Sequence, residues 1–158
     1  WRFVVAGSTR GWSPPGYVKR LRKMAGSHRI EFRLDLPHAE ARELLSRAAI
    51  FWHLAGFGLT ERRTPQLFEH FGLNAAEAMR SGCAPVLFRG GGLPDLIRTP
   101  GEDGILVASL DEVLEATERL ARDEGLRRRV AAAARSSSER YSLQAFADRL
   151  LALVEAGH

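Results

Sequence analysis

Short apolar segments alternate along this chain with segments of helical periodicity, and this alternation restricts the folds that the chain can adopt. Five apolar segments have the length and composition of buried strands: residues 1–6, 30–34, 50–54, 84–88 and 104–107. Helical patterns lie between and after them, at residues 14–25, 38–48, 73–80, 110–121, 124–137 and 143–155. Strands alternating with helices predict an α/β fold with one parallel sheet and helices on both of its faces.

The loops that follow these strands are predicted to form one ligand site. In open parallel sheets, ligands bind beyond the carboxyl ends of the strands. Three polar or glycine-rich segments come directly after predicted strands: Gly7-Ser8, residues 56–69 and residues 90–92. Because carboxyl ends of parallel strands share one edge of the sheet, we expect these loops to converge.

Two carboxylates, Glu69 and Glu77, frame the most informative stretch of the sequence, Glu-His-Phe-Gly-Leu-Asn-Ala-Ala-Glu. Glu69 is expected on the loop before the helix at residues 73–80, and Glu77 on its first turn. An ionised carboxylate only accepts hydrogen bonds, so the pair suits hydroxyl groups, while the N-terminus of the helix suits an anion. A nucleotide sugar offers hydroxyls at both ends and phosphates between them.

Each of these features also has a purely structural interpretation. Asn74-Ala-Ala-Glu77 is a capping-box pattern, so Glu77 could serve only the start of its own helix. Glu69 could be a surface charge, and His53 a hydrogen-bonded core histidine. The glycines at residues 90–92 could form only a tight turn, and Phe68 and Phe71 are interpreted as packing residues rather than base-stacking ones.

Composition and net charge restrict the classes of ligand and partner that the protein is expected to bind. The 158 residues suit one domain, and the net charge is +4, with every basic residue an arginine except Lys19 and Lys23. The excess of positive charge favours binding to anionic ligands or acidic lipid surfaces. Nucleic acid is not expected, because no recognition helix with interleaved aromatics is present. Cys83 is the only cysteine, which fits a reducing compartment.

The order of the motifs resembles a known family. The pattern Glu-His-Phe-Gly-Leu-x-x-x-Glu-Ala-Met-x-x-Gly-x-x-Pro-Val, followed by Gly-Gly-Leu-Pro-Asp, is similar to retaining glycosyltransferases of the GT-B fold, family 4 (group 1), and the close match spans residues 69–97. The resemblance implies a Rossmann-like α/β domain, the C-terminal, donor-binding half of such an enzyme. Residues 1–158 would then form one nucleotide-sugar-binding domain.

The resemblance also implies roles for individual residues. Glu69 would be the catalytic residue that binds the donor sugar hydroxyls, and Glu77 would hold the ribose. Other donor-binding positions would be the backbone near Phe71, Gly72 and Leu73, the glycines Gly91 and Gly92 against the donor, and Leu36 beside the base.

The whole protein is expected to transfer a hexose from a nucleotide sugar to a hydroxyl acceptor with retention. Such enzymes place an arginine and a lysine on the diphosphate, at positions that would precede Trp1. We therefore expect that the first strand and helix of the domain and an N-terminal acceptor domain are absent here, and that this piece alone is inactive. A cytoplasmic location is expected, with peripheral association at the inner face of a membrane also open.

No cofactor other than the donor substrate is expected, and no metal, because the sequence contains no Asp-x-Asp pair. Two alternatives stay open. One is a non-catalytic module for nucleotide-sugar binding or assembly. The other is a dinucleotide-binding oxidoreductase domain, which the absence of Gly-x-Gly-x-x-Gly after a strand disfavours.

Overall fold

A computed structural model describes residues 1–9 and 14–156 of the chain. The chain divides into two compact units, Trp1–Leu44 and Leu45–His158. The two units are taken in turn.

The first unit contains a parallel pair of strands. β1 (Phe3–Gly7) pairs with β2 (Ile30–Leu34), in a register that runs from Phe3 opposite Ile30 to Gly7 opposite Leu34. α1 (Tyr17–Ala25) connects them, and α2 (His38–Ser46) follows. Two parallel neighbours need a long crossover such as α1, because the chain must return to the end of the sheet where the first strand began.

The second unit contains a three-stranded parallel sheet in the order β3-β4-β5. Its strands are β3 (Ile50–His53), β4 (Ala84–Phe88) and β5 (Ile105–Val107). The central strand β4 is buried along its entire length. This explains why its sequence, Ala-Pro-Val-Leu-Phe, is continuously apolar rather than alternating.

Helices cover both faces of this second sheet. The covering helices are α3 (Leu73–Arg80), α4 (Leu110–Arg122) and α5 (Glu124–Ser138), and α6 (Leu143–Ala156) follows them in the chain. Val86 of β4 belongs to a buried cluster with Val113 and Leu120 of α4, whereas its neighbour Leu87 belongs to a cluster with Met79 of α3. Successive strand residues point to opposite faces, so the two clusters lie on opposite sides of the sheet.

The α/β class, the parallel pairing and the helices on both faces of a sheet are confirmed, but the single sheet is not. The described strands form two separate sheets, β1-β2 and β3-β4-β5. Periodicity and alternation predict that strands are parallel, but they carry no information on which strands share hydrogen bonds. The sequence therefore predicted the fold class but not the division of the strands between two sheets.

Helix α4 begins with a capping box in a slightly altered form. The Ser109 hydroxyl accepts a hydrogen bond from the Glu112 N–H group at 3.2 Å. The Glu112 carboxylate accepts from the N–H group of Ala108, at 2.8 Å, rather than from that of Ser109. Both bonds satisfy donors at the helix start.

The last helix, α6, presents most of its large apolar side chains to solvent. Leu143, Phe146 and Leu153 are all more than half exposed. No helix in the described ranges combines the length and apolarity needed to cross a membrane.

Candidate functional site

The loop between β3 and α3 contains a buried packing residue, Phe68. Its ring occupies the space in which a side chain on Gly56 would lie: a Cβ there would be 2.5 Å from Phe68 Cδ1. Gly56 also has a φ of +84°, which favours glycine. The Phe68 ring thus packs against the Gly56 backbone, and the residue after it, Glu69, lies four residues before the first residue of α3.

The Glu69 side chain is bonded through both of its carboxylate oxygens. Oε2 lies 3.2 Å from Nε2 of His53, the last residue of β3. Oε1 accepts a hydrogen bond of 3.2 Å from the Phe71 N–H group. The carboxylate is therefore held between the end of a strand and the approach to a helix.

These contacts favour the ionised form of Glu69. Burial alone would raise its pKa, but the N–H groups of Phe71 and Gly72, together with the attraction and hydrogen bond of His53, outweigh it. The net result is a pKa below the ordinary value of 4.5. Glu69 is ionised at neutral pH and can accept hydrogen bonds from hydroxyl groups.

The glycine turn after β4 packs directly against the Glu69–His70 backbone. The Gly92 N–H group donates to the Glu69 carbonyl oxygen at 2.7 Å. A Cβ on Gly92 would lie 2.0 Å from the His70 carbonyl oxygen, and one on Gly91 would lie 2.3 Å from that of Glu69. The predicted tight turn is confirmed, and contact inside the protein already requires both glycines. Their contact with a donor stays a prediction.

Gly72 caps the N-terminus of α3, and the capping-box interpretation of Asn74 and Glu77 is wrong. Gly72 is the N-cap, with a φ of +87°, and its carbonyl oxygen accepts from the N–H groups of Ala75 and Ala76 at 2.9 and 3.0 Å. Glu77 is therefore the fifth helical residue, not part of the first turn. The Asn74 pattern misled because a left-handed glycine starts the helix two residues earlier.

The aromatic residue between the two carboxylates is partly accessible. Phe71 is 45% exposed, and its ring meets the Tyr141 ring edge-on, with centroids 5.3 Å apart. Phe68 is a packing residue as expected. Leu73, the first residue of α3, has an exposed side chain.

The backbone at Phe71 differs from the expectation in one respect. Its N–H group donates to the Glu69 carboxylate. A role for this N–H group toward a ligand requires that bond to open. The donor-binding roles of Phe71, Gly72 and Leu73 stay predictions.

Leu36 belongs to the first unit and follows an unusual residue. Asp35 has a φ of +52°, rare for a residue with a side chain. Its carboxylate accepts from the Ser8 hydroxyl at 3.0 Å and from the Thr9 N–H and hydroxyl groups, the former at 2.8 Å. These bonds tie together the chain ends that leave β1 and β2, and they fix the backbone that leads into Leu36.

The structure thus assembles Glu69, the start of α3 and the turn at residues 90–92 in one place within the second unit. It adds His53, which the sequence interpretation placed in the core. The available signal was its position at the carboxyl end of a strand. Within the described ranges, no three His, Cys, Asp or Glu residues are grouped as metal ligands.

Comparisons with known proteins agree with this α/β fold and show the family of the chain. The family model described as glycosyl transferases group 1 matches residues 1–137, and the chain belongs to that family. The chain is 29% identical over 136 residues to the D-inositol 3-phosphate glycosyltransferase of Corynebacterium diphtheriae. This match covers 85% of the chain but 29% of that relative.

Solved structures share the fold. Anabaena HepE, in complex with UDP-glucose, superposes with a TM-score of 0.79 at 18% identity, over 98% of this chain and 41% of HepE. The C-terminal domain of the group 1 family protein LpcC from Francisella tularensis gives a TM-score of 0.67 at 22% identity, over 83% of this chain and 66% of that one. The chain spans less than half the length of the C. diphtheriae relative and of HepE.

Proposed function

We propose that this chain is the donor-binding domain of a retaining GT-B glycosyltransferase of family 4, which transfers a hexose from a nucleotide sugar to a hydroxyl acceptor. The observation that carries the proposal is the ionised Glu69 carboxylate, fixed at the approach to α3 beside the glycine turn. An acceptor of hydrogen bonds next to a helix N-terminus suits a ligand with both hydroxyls and phosphates.

Each site residue has a role in this proposal. Glu69 binds hydroxyls of the donor sugar, and Glu77, on α3, holds the ribose. The backbone from Phe71 to Leu73 faces the sugar and diphosphate, Gly91 and Gly92 lie beside the donor, and Leu36 flanks the base. The Asp35 hydrogen bonds support the last role, because they fix the backbone before Leu36.

The relatives suggest the substrate classes. HepE was solved with UDP-glucose, and the C. diphtheriae relative is named for D-inositol 3-phosphate, a polyol phosphate with free hydroxyls. We therefore propose a nucleoside diphosphate hexose as donor and a hydroxyl compound as acceptor. Membership in a glycosyltransferase family argues against the oxidoreductase alternative.

Catalysis in this proposal stabilises the leaving diphosphate with cations and helix N–H groups. Two carboxylates near a diphosphate oppose its charge, so further cations are needed. We propose that an arginine-lysine pair and an acceptor domain elsewhere in the whole protein supply what is missing, and that these 158 residues alone do not transfer sugar. A cytoplasmic location, with optional peripheral membrane association, belongs to the same proposal.

The test is a titration of the chain with UDP-glucose, UDP, GDP-mannose and GDP, followed by NMR because weak binding is expected. We expect at least one nucleotide sugar to bind, with Glu69→Gln weakening it. The nearby surface variant Gln66→Ala is the control. Absence of binding to any nucleotide or nucleotide sugar would refute the proposed function. Binding without transfer by the whole protein would leave the non-catalytic module.

A further inference from the structure

His53 is held rigidly at the end of β3. Its backbone is in register with Leu87 of the central strand β4. Its side chain is only 16% exposed, and the Phe51 ring meets the imidazole at 86°, with centroids 6.3 Å apart. An imidazole fixed on a strand is a more precise support than a group on a loop.

The Glu69 carboxylate, by contrast, is on a loop and depends on its contacts for orientation. Phe71 holds Oε1 through a local bond two residues away, whereas His53 holds Oε2 from sixteen residues earlier in the chain. Removing the imidazole would leave Oε2 without this partner. The carboxylate could then rotate about its last side-chain bond, because that torsion is broad.

We propose that His53 is a positioning residue that fixes the Glu69 carboxylate in the orientation that receives a donor sugar hydroxyl. The inference rests on the proposed function, since it assigns to Glu69 the sugar contact. The inference distinguishes two contributions to donor binding, one from the sugar and one from the nucleoside diphosphate. His53 affects recognition of the sugar through Glu69, while recognition of the nucleoside diphosphate does not depend on it.

The test compares two substitutions at this position in the full 158-residue chain. His53→Phe keeps a planar ring and removes both ring nitrogens. His53→Gln returns an N–H donor at similar reach. For each variant, affinities are measured for UDP-glucose and UDP, and for GDP-mannose and GDP, so that the ratio within each pair isolates the sugar.

We expect His53→Phe to reduce the sugar-dependent ratio roughly tenfold, the effect of one hydrogen bond to a charged group, with nucleoside diphosphate binding unchanged. His53→Gln should restore much of the ratio. An equal loss of sugar-nucleotide and diphosphate binding would show a merely structural role and overturn the inference. An unchanged ratio in His53→Phe would do the same.

A second measurement reports the contact without any ligand. The carboxyl-carbon NMR titration of Glu69 should show a higher pKa in His53→Phe than in the wild-type chain, because one lowering contact is lost. An identical titration would overturn the inference even where binding is weak. A wild-type chain that binds no nucleotide sugar would instead refute the proposed function, and the inference with it, while the titration still reports whether the contact exists.

Discussion

The backbone N–H group of Gly92 donates a hydrogen bond of 2.7 Å to the carbonyl oxygen of Glu69. This bond joins the turn after β4 to the loop before α3, so that two segments more than twenty residues apart form one packed layer. The approach is too close for a side chain at Gly91 or Gly92. Glycine in this motif is therefore explained by packing around Glu69, independently of any ligand.

Gly92→Ala should destabilise the chain substantially. Its φ of −85° is ordinary, so the cost is steric: the added Cβ would lie 2.0 Å from the His70 carbonyl oxygen, which belongs to the backbone and cannot move freely. Overpacking of this kind costs about 1–3 kcal/mol, occasionally more. Urea unfolding followed by circular dichroism measures the change in free energy of unfolding.

Gly7→Ala is the matched control, because a Cβ at Gly7 meets no atom within 4 Å. We expect this variant to differ from the wild type by about 1 kcal/mol or less. If the two alanine variants unfolded at the same urea concentration, the close contact between the turn and the Glu69–His70 backbone would not exist in solution.

Glu77→Ala should weaken donor binding without the loss of stability that removal of a helix cap would cause. Glu77 is the fifth residue of α3 and does not cap the helix, so the roughly 1 kcal/mol expected from loss of a cap does not apply. Donor binding and melting temperature are measured on the same samples. Asn74→Ala, a change at an exposed residue in the first turn of the same helix, serves as the control. A lower melting temperature with unchanged donor affinity would assign Glu77 a structural role only.

Local segments of the second unit were predictable because each has a strong signal of its own. The bounds predicted for β4 and α3, residues 84–88 and 73–80, agree with the structure exactly at both ends. A continuous apolar run identifies β4, and Gly72 and Gly82 flank α3. The division of strands between two sheets was not predictable, since strand pairing is decided by contacts distant in sequence.

The candidate site was predictable as a set of motif residues but not as a geometry. Sequence order places Glu69 before a helix, yet nothing local shows that its carboxylate meets an imidazole sixteen residues earlier. Similarly, the Gly-Gly pair suggests a turn, but the short distance to the Glu69–His70 backbone appears only in three dimensions. Long-range contacts carry this information.

Cys83 should resist modification in the folded chain. It is fully buried, its thiol lies 3.3 Å from the Leu45 carbonyl oxygen, and burial raises its pKa from 9.0 to about 11. Only the thiolate is nucleophilic, so labelling with a disulfide reagent at pH 8 should be far slower in buffer than in urea. Because the chain has one cysteine, the signal reports this site alone. Rapid labelling of the folded chain would contradict the burial.

The raised pKa of Cys83 also predicts how the free energy of unfolding changes at high pH. Between pH 9 and 11 the unfolded thiol loses its proton while the folded one keeps it, so folding is disfavoured as the pH rises. This contribution is complete below pH 9 and is lost toward pH 11. The free energy of unfolding of the wild type should therefore fall relative to that of Cys83→Ala across this interval, and parallel curves would refute the shift.

Transfer by the whole protein should continue in excess chelator. The 158 residues contain no Asp-x-Asp pair, and in the proposed mechanism cations of the protein and helix N–H groups stabilise the diphosphate. Initial rates are compared with and without EDTA, using a chelator-sensitive transferase as the control for effective metal removal. Activity that disappears with EDTA and returns with magnesium or manganese would refute metal-independent chemistry.

Truncation of two leucines on different helices should change the free energy of unfolding by very different amounts. Leu120 of α4 is fully buried in the cluster with Val86 and Val113, whereas Leu153 of α6 is 73% exposed. Leu120→Ala should cost about 2–5 kcal/mol, because it removes buried contacts and leaves a cavity. Leu153→Ala should change the free energy of unfolding by about 0.5 kcal/mol or less, as for other exposed sites. Both are measured by urea unfolding of the 158-residue chain, with identical slopes required for a valid comparison. A large loss in Leu153→Ala would show that α6 buries its apolar side chains in solution, contrary to the exposure described above.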